Sequence, residues 1–190
     1  MTIAIKPTAS GSTIEQNGST ILTVDGSGDI NVGNNLTVTG TTTPTGNLYP
    51  KVPCFSARLT ADQSFSSNTW TKAEFGTEDF DTNSNYDTTN YRFTPTVAGY
   101  YQVNCIARIN YTGSANDSTY LNLYKNGSSY AAVNRIGGSG LWGNLSLSVT
   151  MYLNGSTDYI ETYVYTNHGS PFLDENAIQV SKFSGHLVSV

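Results

Sequence analysis

Residues that could do catalytic chemistry are sparse in this chain. There are two histidines: His168 lies in a polar stretch, TNHGSP, and His186 lies beside Gly185 in an alternating stretch. Serine is abundant, but the sequence contains no Gly-x-Ser-x-Gly motif to hold a serine nucleophile on a sharp turn. We therefore expect no enzyme activity, no catalytic residues and no cofactor.

A calcium-loop pattern begins at Asp81, in DTNSNYD. Tyr86 stands where such a loop needs glycine for its sharp turn, and Arg92 stands where the bidentate glutamate belongs. Asp and Asn side chains also close turns by bonding their own backbone. We interpret the segment as a structural turn and predict no metal site.

Aromatic side chains offer a binding chemistry instead. Flat rings with polar tips suit stacking against sugars or packing against a protein partner. An alternative stays open, because tyrosine is also frequent in strands for its β propensity alone. The candidate surface residues are Tyr120, Tyr124, Tyr159, Tyr163 and Tyr165, with Trp142 in the predicted loop GSGLWGN.

The elements that would position these residues are strands. Alternation with period two places Tyr101, Val103, Cys105, Ala107 and Ile109 on one face of GYYQVNCIARIN. The same pattern directs Leu145, Leu147, Val149, Met151 and Leu153 inward in NLSLSVTMYL. In TYLNLYKNG and DYIETYVYT the aliphatic residues occupy one face of each strand and the tyrosines occupy the other face. Turn signals such as YKNGSS and LNGST separate the runs, which predicts an antiparallel sandwich or jelly roll.

Composition excludes several function classes. The 190 residues carry a formal charge of −5, and the nine Lys and Arg residues are not clustered, so we expect no nucleic-acid binding. No apolar run approaches the roughly 18 residues of a membrane span. The start, MTIAIKPTAS, lacks the apolar segment of a secretory signal, so we expect folding in a cytoplasm. In that compartment Cys54 and Cys105 are expected to be free thiols, with a disulfide between them as the alternative.

Composition also divides the chain near LYPKVPCF, residues 48–55. Residues 1–50 are rich in Thr, Gly and Asn, whereas nearly all aromatic residues and the long alternating runs follow. We predict two parts, an N-terminal segment at 1–50 and a domain at 51–190, which is large enough to bury its own core.

Four motifs in this domain resemble the globular head of the complement "one-q" family. They are CFSARLT at 54–60, FDTNSNYDTTNYRFTPTVAGYYQVN at 80–104, LYKNG at 123–127 and FSGHLVSV at 183–190, in the family's order. One departure is LNGSTDYI, where two residues separate Gly155 from Asp158 and the family often has Gly-Asp. The family's collagen stalk has no counterpart in residues 1–50.

The resemblance implies an all-β fold, a ten-stranded antiparallel jelly roll shared with tumour necrosis factor, and assembly as a homotrimer. It also implies that the tyrosine-bearing strands lie side by side in the outer sheet. His186, Val188 and Val190 alternate away from Phe183 and Leu187, so we predict them in the trimer interface.

The N-terminal segment carries regularly spaced apolar pairs, which are Leu22/Val24, Ile30/Val32 and Leu36/Val38. One chain with so few apolar residues cannot offset an ordering cost of roughly 1 to 2 kcal/mol per residue. Three chains sharing these six residues as a core could form an extended β-rich shaft. A disordered linker is the alternative.

Sequences such as LTVDGSGDINVGNNLTVTGTTTPTG resemble the shafts of bacteriophage fibre and appendage proteins. Together, the two resemblances imply a trimeric virion protein assembled in the host cytoplasm, a fibre knob or a decoration protein. Residues 1–50 would attach to other virion proteins, and residues 51–190 would bind a host glycan or protein or coat the particle. The alternatives are a tail-associated glycan-degrading enzyme and a secreted bacterial adhesin or ligand.

Overall fold

A computed structural model describes residues 3–8, 11–16, 19–25, 30–31, 52–112, 118–136, 142–175 and 180–190. Over these ranges all regular structure is β, and every paired strand is antiparallel to its neighbour. The chain divides into two compact units, Met1–Leu48 and Tyr49–Val190. No helix in the described ranges has the length and apolarity to cross a bilayer.

The N-terminal unit contains a four-stranded meander. Its strands are β1 (Ile3–Thr8), β2 (Gly11–Gln16), β3 (Ser19–Asp25) and β4 (Ile30–Asn31), paired in that order. Ile14 on β2 lies opposite Ile5 on one side and Leu22 on the other, so aliphatic residues line up across the sheet.

The predicted shaft residues are only partly covered by this meander. Leu22 and Val24 lie on β3, and Val24 is opposite Ile30 on β4. Val32, Leu36 and Val38 lie outside the described residues. The strand pairs belong to one chain, and the sharing of this core among three chains stays a prediction.

Two sheets form the second unit and pack as a jelly-roll sandwich. The strands of sheet I are β7 (Thr71–Lys72), β9 (Tyr86–Asp87), β10 (Arg92–Phe93), β12 (Ser118–Lys125), β13 (Ser128–Ile136) and β15 (Ile160–Thr166). Their order in the sheet is β13-β12-β15-β10-β9, with β7 also paired to β15.

The strands of sheet II are β5 (Cys54–Arg58), β6 (Gln63–Ser64), β8 (Thr77–Asp81), β11 (Gly99–Thr112), β14 (Trp142–Leu153), β16 (Gly169–Leu173) and β17 (Lys182–Ser189). Their order in the sheet is β6-β16-β11-β17-β5-β8, and β14 also pairs along β11. The described part of this unit thus has thirteen strands, four of them two residues long, where the resemblance implied ten. A two-residue strand is too short for alternation to reveal.

The core lies between the sheets, on the faces that alternation predicted. On β11 the buried residues are Tyr101, Val103, Cys105, Ala107 and Ile109. On β14 the inward residues Leu145, Met151 and Leu153 are buried, whereas Leu147 and Val149 are partly buried against the core. The predicted inward faces of both strands are confirmed.

Aromatic rings join the two sheets at the centre of this core. Phe55 on sheet II stacks on Phe93 of sheet I with ring centroids 4.2 Å apart. Phe183 meets Phe55 edge-on at 4.9 Å. The phenol of Tyr86 reaches into the same cluster and donates a hydrogen bond to the carbonyl of Phe75 at 2.9 Å, which satisfies its polar end.

Candidate functional site

The predicted surface tyrosines come together on the outward face of sheet I. Strands β12 and β15 are neighbours, and Tyr120 lies opposite Tyr165 in their register. Their rings meet edge-on at 5.8 Å, and the rings of Tyr124 and Tyr163 stack at 4.1 Å. Because the buried Leu121, Leu123 and Val164 take the inward positions, all four tyrosines share the opposite face.

Trp70 completes this surface, although it was not among the surface residues predicted from the sequence. Its ring centroid lies 5.2 Å from that of Tyr165, 5.8 Å from Tyr120 and 6.4 Å from Tyr124. The indole therefore rests on the tyrosines, which are only half-buried beneath it, while 40% of Trp70 stays exposed. The one available signal was an isolated tryptophan in a polar stretch, SSNTWTK. We call Trp70 and these four tyrosines the aromatic platform.

Two of the predicted surface residues have other surroundings. Tyr159 precedes β15, and its ring lies under the guanidinium of Arg92, 4.9 Å from the ring centroid. Trp142 was predicted in a loop, but it is the first residue of β14, because its pairing with Asn110 extends the ladder to that point. The side chain of Trp142 lies outside the described residues.

Uncharged hydrogen-bonding groups border the aromatic platform. Asn122 lies between Tyr120 and Tyr124 on β12 and exchanges hydrogen bonds with the Ser129 hydroxyl at 2.9 and 3.1 Å. The Tyr165 hydroxyl donates to Asn68 Oδ1 at 3.4 Å. Asn122 itself is buried, whereas the Asn68 amide and the Ser129 hydroxyl are exposed and can exchange hydrogen bonds with a polar ligand without carrying net charge.

The charges beside the platform are already paired. The Lys72 ammonium forms an ion pair with the carboxylate of Glu161, and it also lies 5.9 Å from the Tyr163 ring centroid. Burial, followed by the nearby Glu161 carboxylate, raises the pKa of the Tyr163 phenol above its ordinary value. Tyr163 is therefore neutral at physiological pH and remains a hydrogen-bond donor.

A second exposed surface lies on the outward face of sheet II. Tyr100 and Tyr152 face each other across β11 and β14, and they are 53% and 49% exposed. Val188 lies at a register shift in β17, between the residues that pair with Tyr100 and Tyr101. Val190 lies two residues further along the chain, and both valines are exposed. We call these four residues the sheet II patch. His186, also exposed, lies on the same strand opposite Gln102.

Polarity changes along this face of sheet II. Beyond the patch, Gln102 accepts a hydrogen bond from Thr150 at 2.7 Å and donates one to Ser148 at 2.8 Å. Further along the sheet, Asp79 accepts hydrogen bonds from Arg58 at 3.0 Å and from Lys182 at 2.9 Å. Burial raises the pKa of Asp79, but hydrogen bonds from Lys182, Ser56 and Arg58 outweigh this and lower it overall.

His168 and Asp81, the candidates for catalysis and for metal binding, take part in hydrogen bonds within the fold. His168 is buried, and its backbone carbonyl accepts a hydrogen bond from the Ser67 hydroxyl at 2.6 Å. The Asp81 carboxylate accepts hydrogen bonds from the backbone N–H groups of Asn83, Asn85 and Tyr86, which closes the calcium-like loop on itself. Within the described ranges, no group of three or more His, Cys, Asp and Glu residues could hold a metal ion.

A small polar cavity of about 190 Å³ opens beside β6 and is lined by Thr60, Ala61, Asp62, Gln63, Glu74, Gly76 and Tyr91. The side chains of Asp62 and Gln63 in its lining are hydrogen-bonded within the protein. Asp62 accepts from the backbone N–H of Glu175 at 2.8 Å. Gln63 donates to the Lys72 carbonyl and accepts from the Glu74 N–H. These contacts hold the β6 segment against neighbouring strands.

This chain is similar to known proteins in its fold and not in its sequence. No protein-family model matches the chain, and no curated protein matches its sequence. The globular domain of zebrafish complement 1qA is 16% identical with a TM-score of 0.54, over 72% of this chain and 97% of that one. Murine APRIL is 8% identical with a TM-score of 0.54, over 72% and 99%.

The vertex protein P5 of PRD1 is 12% identical with a TM-score of 0.53, over 72% of this chain and 97% of that one. At such identities the likeness concerns the fold alone. The chain therefore contains the jelly roll of the globular complement one-q and tumour-necrosis-factor-like domains.

Proposed function

We propose that this chain is a homotrimeric virion structural protein, a fibre knob or decoration protein whose jelly roll serves binding rather than catalysis. The observation that carries the proposal is the sheet II patch. Tyr100, Tyr152, Val188 and Val190 are all at least 49% exposed on or beside neighbouring strands. Large exposed apolar side chains grouped on neighbouring strands in this way mark candidate association surfaces on proteins.

Copies of the same chain are the partner that this face fits best. A stable interface needs about 800 Å² per partner, with an apolar centre and a polar rim. The sheet II patch supplies apolar groups, and the Gln102, Ser148 and Thr150 network supplies polar groups whose hydrogen bonds are already made. The resemblance of the sequence to the complement one-q family supports three copies around one axis, with His186 in the same interface.

Each of the two units supports the proposal that the protein belongs to a virion. The second unit shares its fold with a protein named as a vertex protein of PRD1. The N-terminal unit resembles fibre shafts in sequence, and in this proposal it attaches the trimer to other virion proteins. Three identical sites on one trimer would raise the avidity for a repetitive surface without any new contact.

Sedimentation equilibrium of the full chain at micromolar concentration tests the assembly directly. A single species at three times the 20.4 kDa mass of one chain is expected. A well-folded monomer would overturn the proposal. Cryo-microscopy of particles carrying the protein tests the location, and density for the trimer on the particle surface is expected. If the purified trimer instead hydrolysed a glycan, the degrading-enzyme alternative would replace the binding role.

A further inference from the structure

We infer that the aromatic platform of sheet I is a saccharide-binding site that takes an uncharged pyranose ring, stacked on the exposed face of Trp70. The inference rests on the proposed binding function and gives it a ligand class. A protein partner is the alternative occupant of the platform, and a binding test with saccharides and Trp70 variants separates the two.

Trp70 is held in place before any ligand arrives. Its inner side rests on Tyr120, Tyr124 and Tyr165 at ring-centroid distances of 5.2 to 6.4 Å. The adjoining Thr71 and Lys72 form β7 and pair with Val164 and Tyr163 of β15. On the N-terminal side of Trp70 in the chain, the Asn68 N–H donates to the Thr166 carbonyl at 2.7 Å. A ring fixed in this way loses little freedom when a ligand binds, which favours affinity.

The exposed aromatic area matches a sugar better than a protein. The four tyrosines are half-buried, so much of the accessible aromatic surface is the 40% exposed Trp70. A single exposed indole provides an area of about one or two sugar rings, whereas a specific protein interface needs about 800 Å² per partner. A small ligand with one flat apolar face therefore fits this geometry.

The polar groups around the indole suit hydroxyl groups. A pyranose presents C–H groups on its face and hydroxyl groups at its edge, so it needs both an aromatic plane and neutral hydrogen-bonding partners. The platform offers the Asn68 amide and the tyrosine hydroxyls at its border. The exposed Ser129 hydroxyl lies beside it as well, hydrogen-bonded to the buried amide of Asn122.

Charge favours a neutral sugar over an acidic one. Lys72, a cation beside the platform, is already paired with Glu161 and also donates to the Asn90 carbonyl at 3.3 Å. Arg92 lies over the ring of Tyr159 instead of the platform. A sialic or uronic acid would have to displace an existing ion pair to be neutralised, which costs binding free energy.

Binding of the full-length trimer to immobilised neutral and acidic oligosaccharides tests the inference, followed by titration calorimetry on the saccharides that bind. Neutral hexose or N-acetylhexosamine glycans are expected to bind. Trp70→Ala is expected to weaken binding by about tenfold or more, and Trp70→Phe by less, because a smaller ring still stacks. Phe80→Ala is the matched control, since Phe80 is an exposed ring on sheet II outside both surfaces, and it should bind as the unmodified protein does.

Each variant is first shown by circular dichroism and light scattering to be folded and trimeric. A trimer that binds no neutral saccharide, or that prefers acidic ones, overturns the inference and leaves the virion assignment intact. Neutral-glycan binding that Trp70→Ala does not change overturns the assigned site. Trp70-dependent binding of a virion or host protein, with no saccharide bound, makes protein the occupant and also overturns it. A monomeric chain, in contrast, contradicts the proposed function itself.

Discussion

Tyr100 and Tyr152 face each other across the β11–β14 ladder on the solvent side of sheet II, with ring centroids 5.5 Å apart and planes 66° apart. Two aromatic rings that are about half exposed in one chain represent apolar area that association can remove from water. Because Val188 lies beside Tyr100 at the register shift in β17, a charge at Val188 should oppose such an association.

Val188→Asp is expected to dissociate the proposed trimer. Association would bring three aspartates together in an apolar environment, so the dissociation constant should rise at least about a hundredfold. Multi-angle light scattering measures the mass, and circular dichroism checks the fold. Ile136→Asp is the control, because it adds the same charge at an exposed aliphatic residue on β13 and should stay trimeric. A trimeric Val188→Asp protein would place the interface elsewhere.

Gly155→Ala is expected to destabilise the jelly roll strongly. Gly155 has φ +69°, and an added Cβ would lie 2.2 Å from the Ala98 nitrogen and 2.5 Å from the Val97 carbonyl carbon. Because backbone cannot yield as a side chain can, we expect a loss of about 3 kcal/mol or more in the free energy of unfolding.

Gly127→Ala is the matched control for this substitution. Gly127 has a similar φ of +76°, but its added Cβ would approach only the Tyr159 hydroxyl, at 3.4 Å. Conformational strain alone should cost about 1 to 2 kcal/mol. Urea denaturation measures both variants, and equal losses would contradict the steric explanation.

Asp158→Asn is expected to reduce the loss of folding free energy that accompanies a fall in pH below about 4. Hydrogen bonds from Asn126, at 2.7 Å, and then from Lys125 hold the pKa of the Asp158 carboxyl below its ordinary value of 3.8. The folded state therefore binds fewer protons than the unfolded state near this pH. The stabilisation is present above about pH 4 and is lost as the pH falls through the lowered pKa of the folded state.

Chemical denaturation at pH 7 and near pH 3 measures the effect. The Asn variant should be less stable at pH 7 and should lose less stability on acidification than the unmodified protein. Glu78→Gln, at an exposed residue on β8, should keep the original profile. An unchanged acid dependence in Asp158→Asn would show that other carboxyl groups determine it.

Cys105 is expected to resist thiol reagents in the folded protein. It is buried in β11 with its sulfur 3.3 Å from the Thr162 hydroxyl, and burial raises the pKa of the thiol to about 12. At pH 8 the thiolate fraction is then about one in ten thousand. In a Cys54→Ser variant, Cys105 is the remaining thiol, and it should react only after urea unfolds the protein and exposes it. Fast reaction of the folded variant would contradict the burial of Cys105.

Alternation along single strands was visible in the sequence because a strand repeats every two residues. It identified the inward faces of β11 and β14, from Tyr101 to Ile109 and from Leu145 to Leu153, and the common face of the tyrosines. The short strands β6, β7, β9 and β10 were not predicted individually, because two residues carry no periodic signal. The first residue of β14, Trp142, was placed in a loop for a related reason, since only its partner Asn110 brings it into the ladder.

Contacts between distant segments could not be predicted from local pattern. Trp70 and Tyr165 lie 5.2 Å apart although 94 residues separate them in the chain, and no periodicity links them. The pairing of β7 with β15, together with the Asn68–Thr166 backbone hydrogen bond, brings the indole over the tyrosines and leaves them half-buried instead of exposed.

The sequence by itself determined the all-β class and the buried faces of β11, β12, β14 and β15, because side chains in a regular strand alternate between its two faces. The tertiary structure alone decided which faces are neighbours. Strand order is set by pairing across the whole chain, and this pairing placed Trp70 on the platform and Tyr100 beside Tyr152. The candidate binding surfaces therefore arise from topology, whereas the core that supports them follows from local alternation.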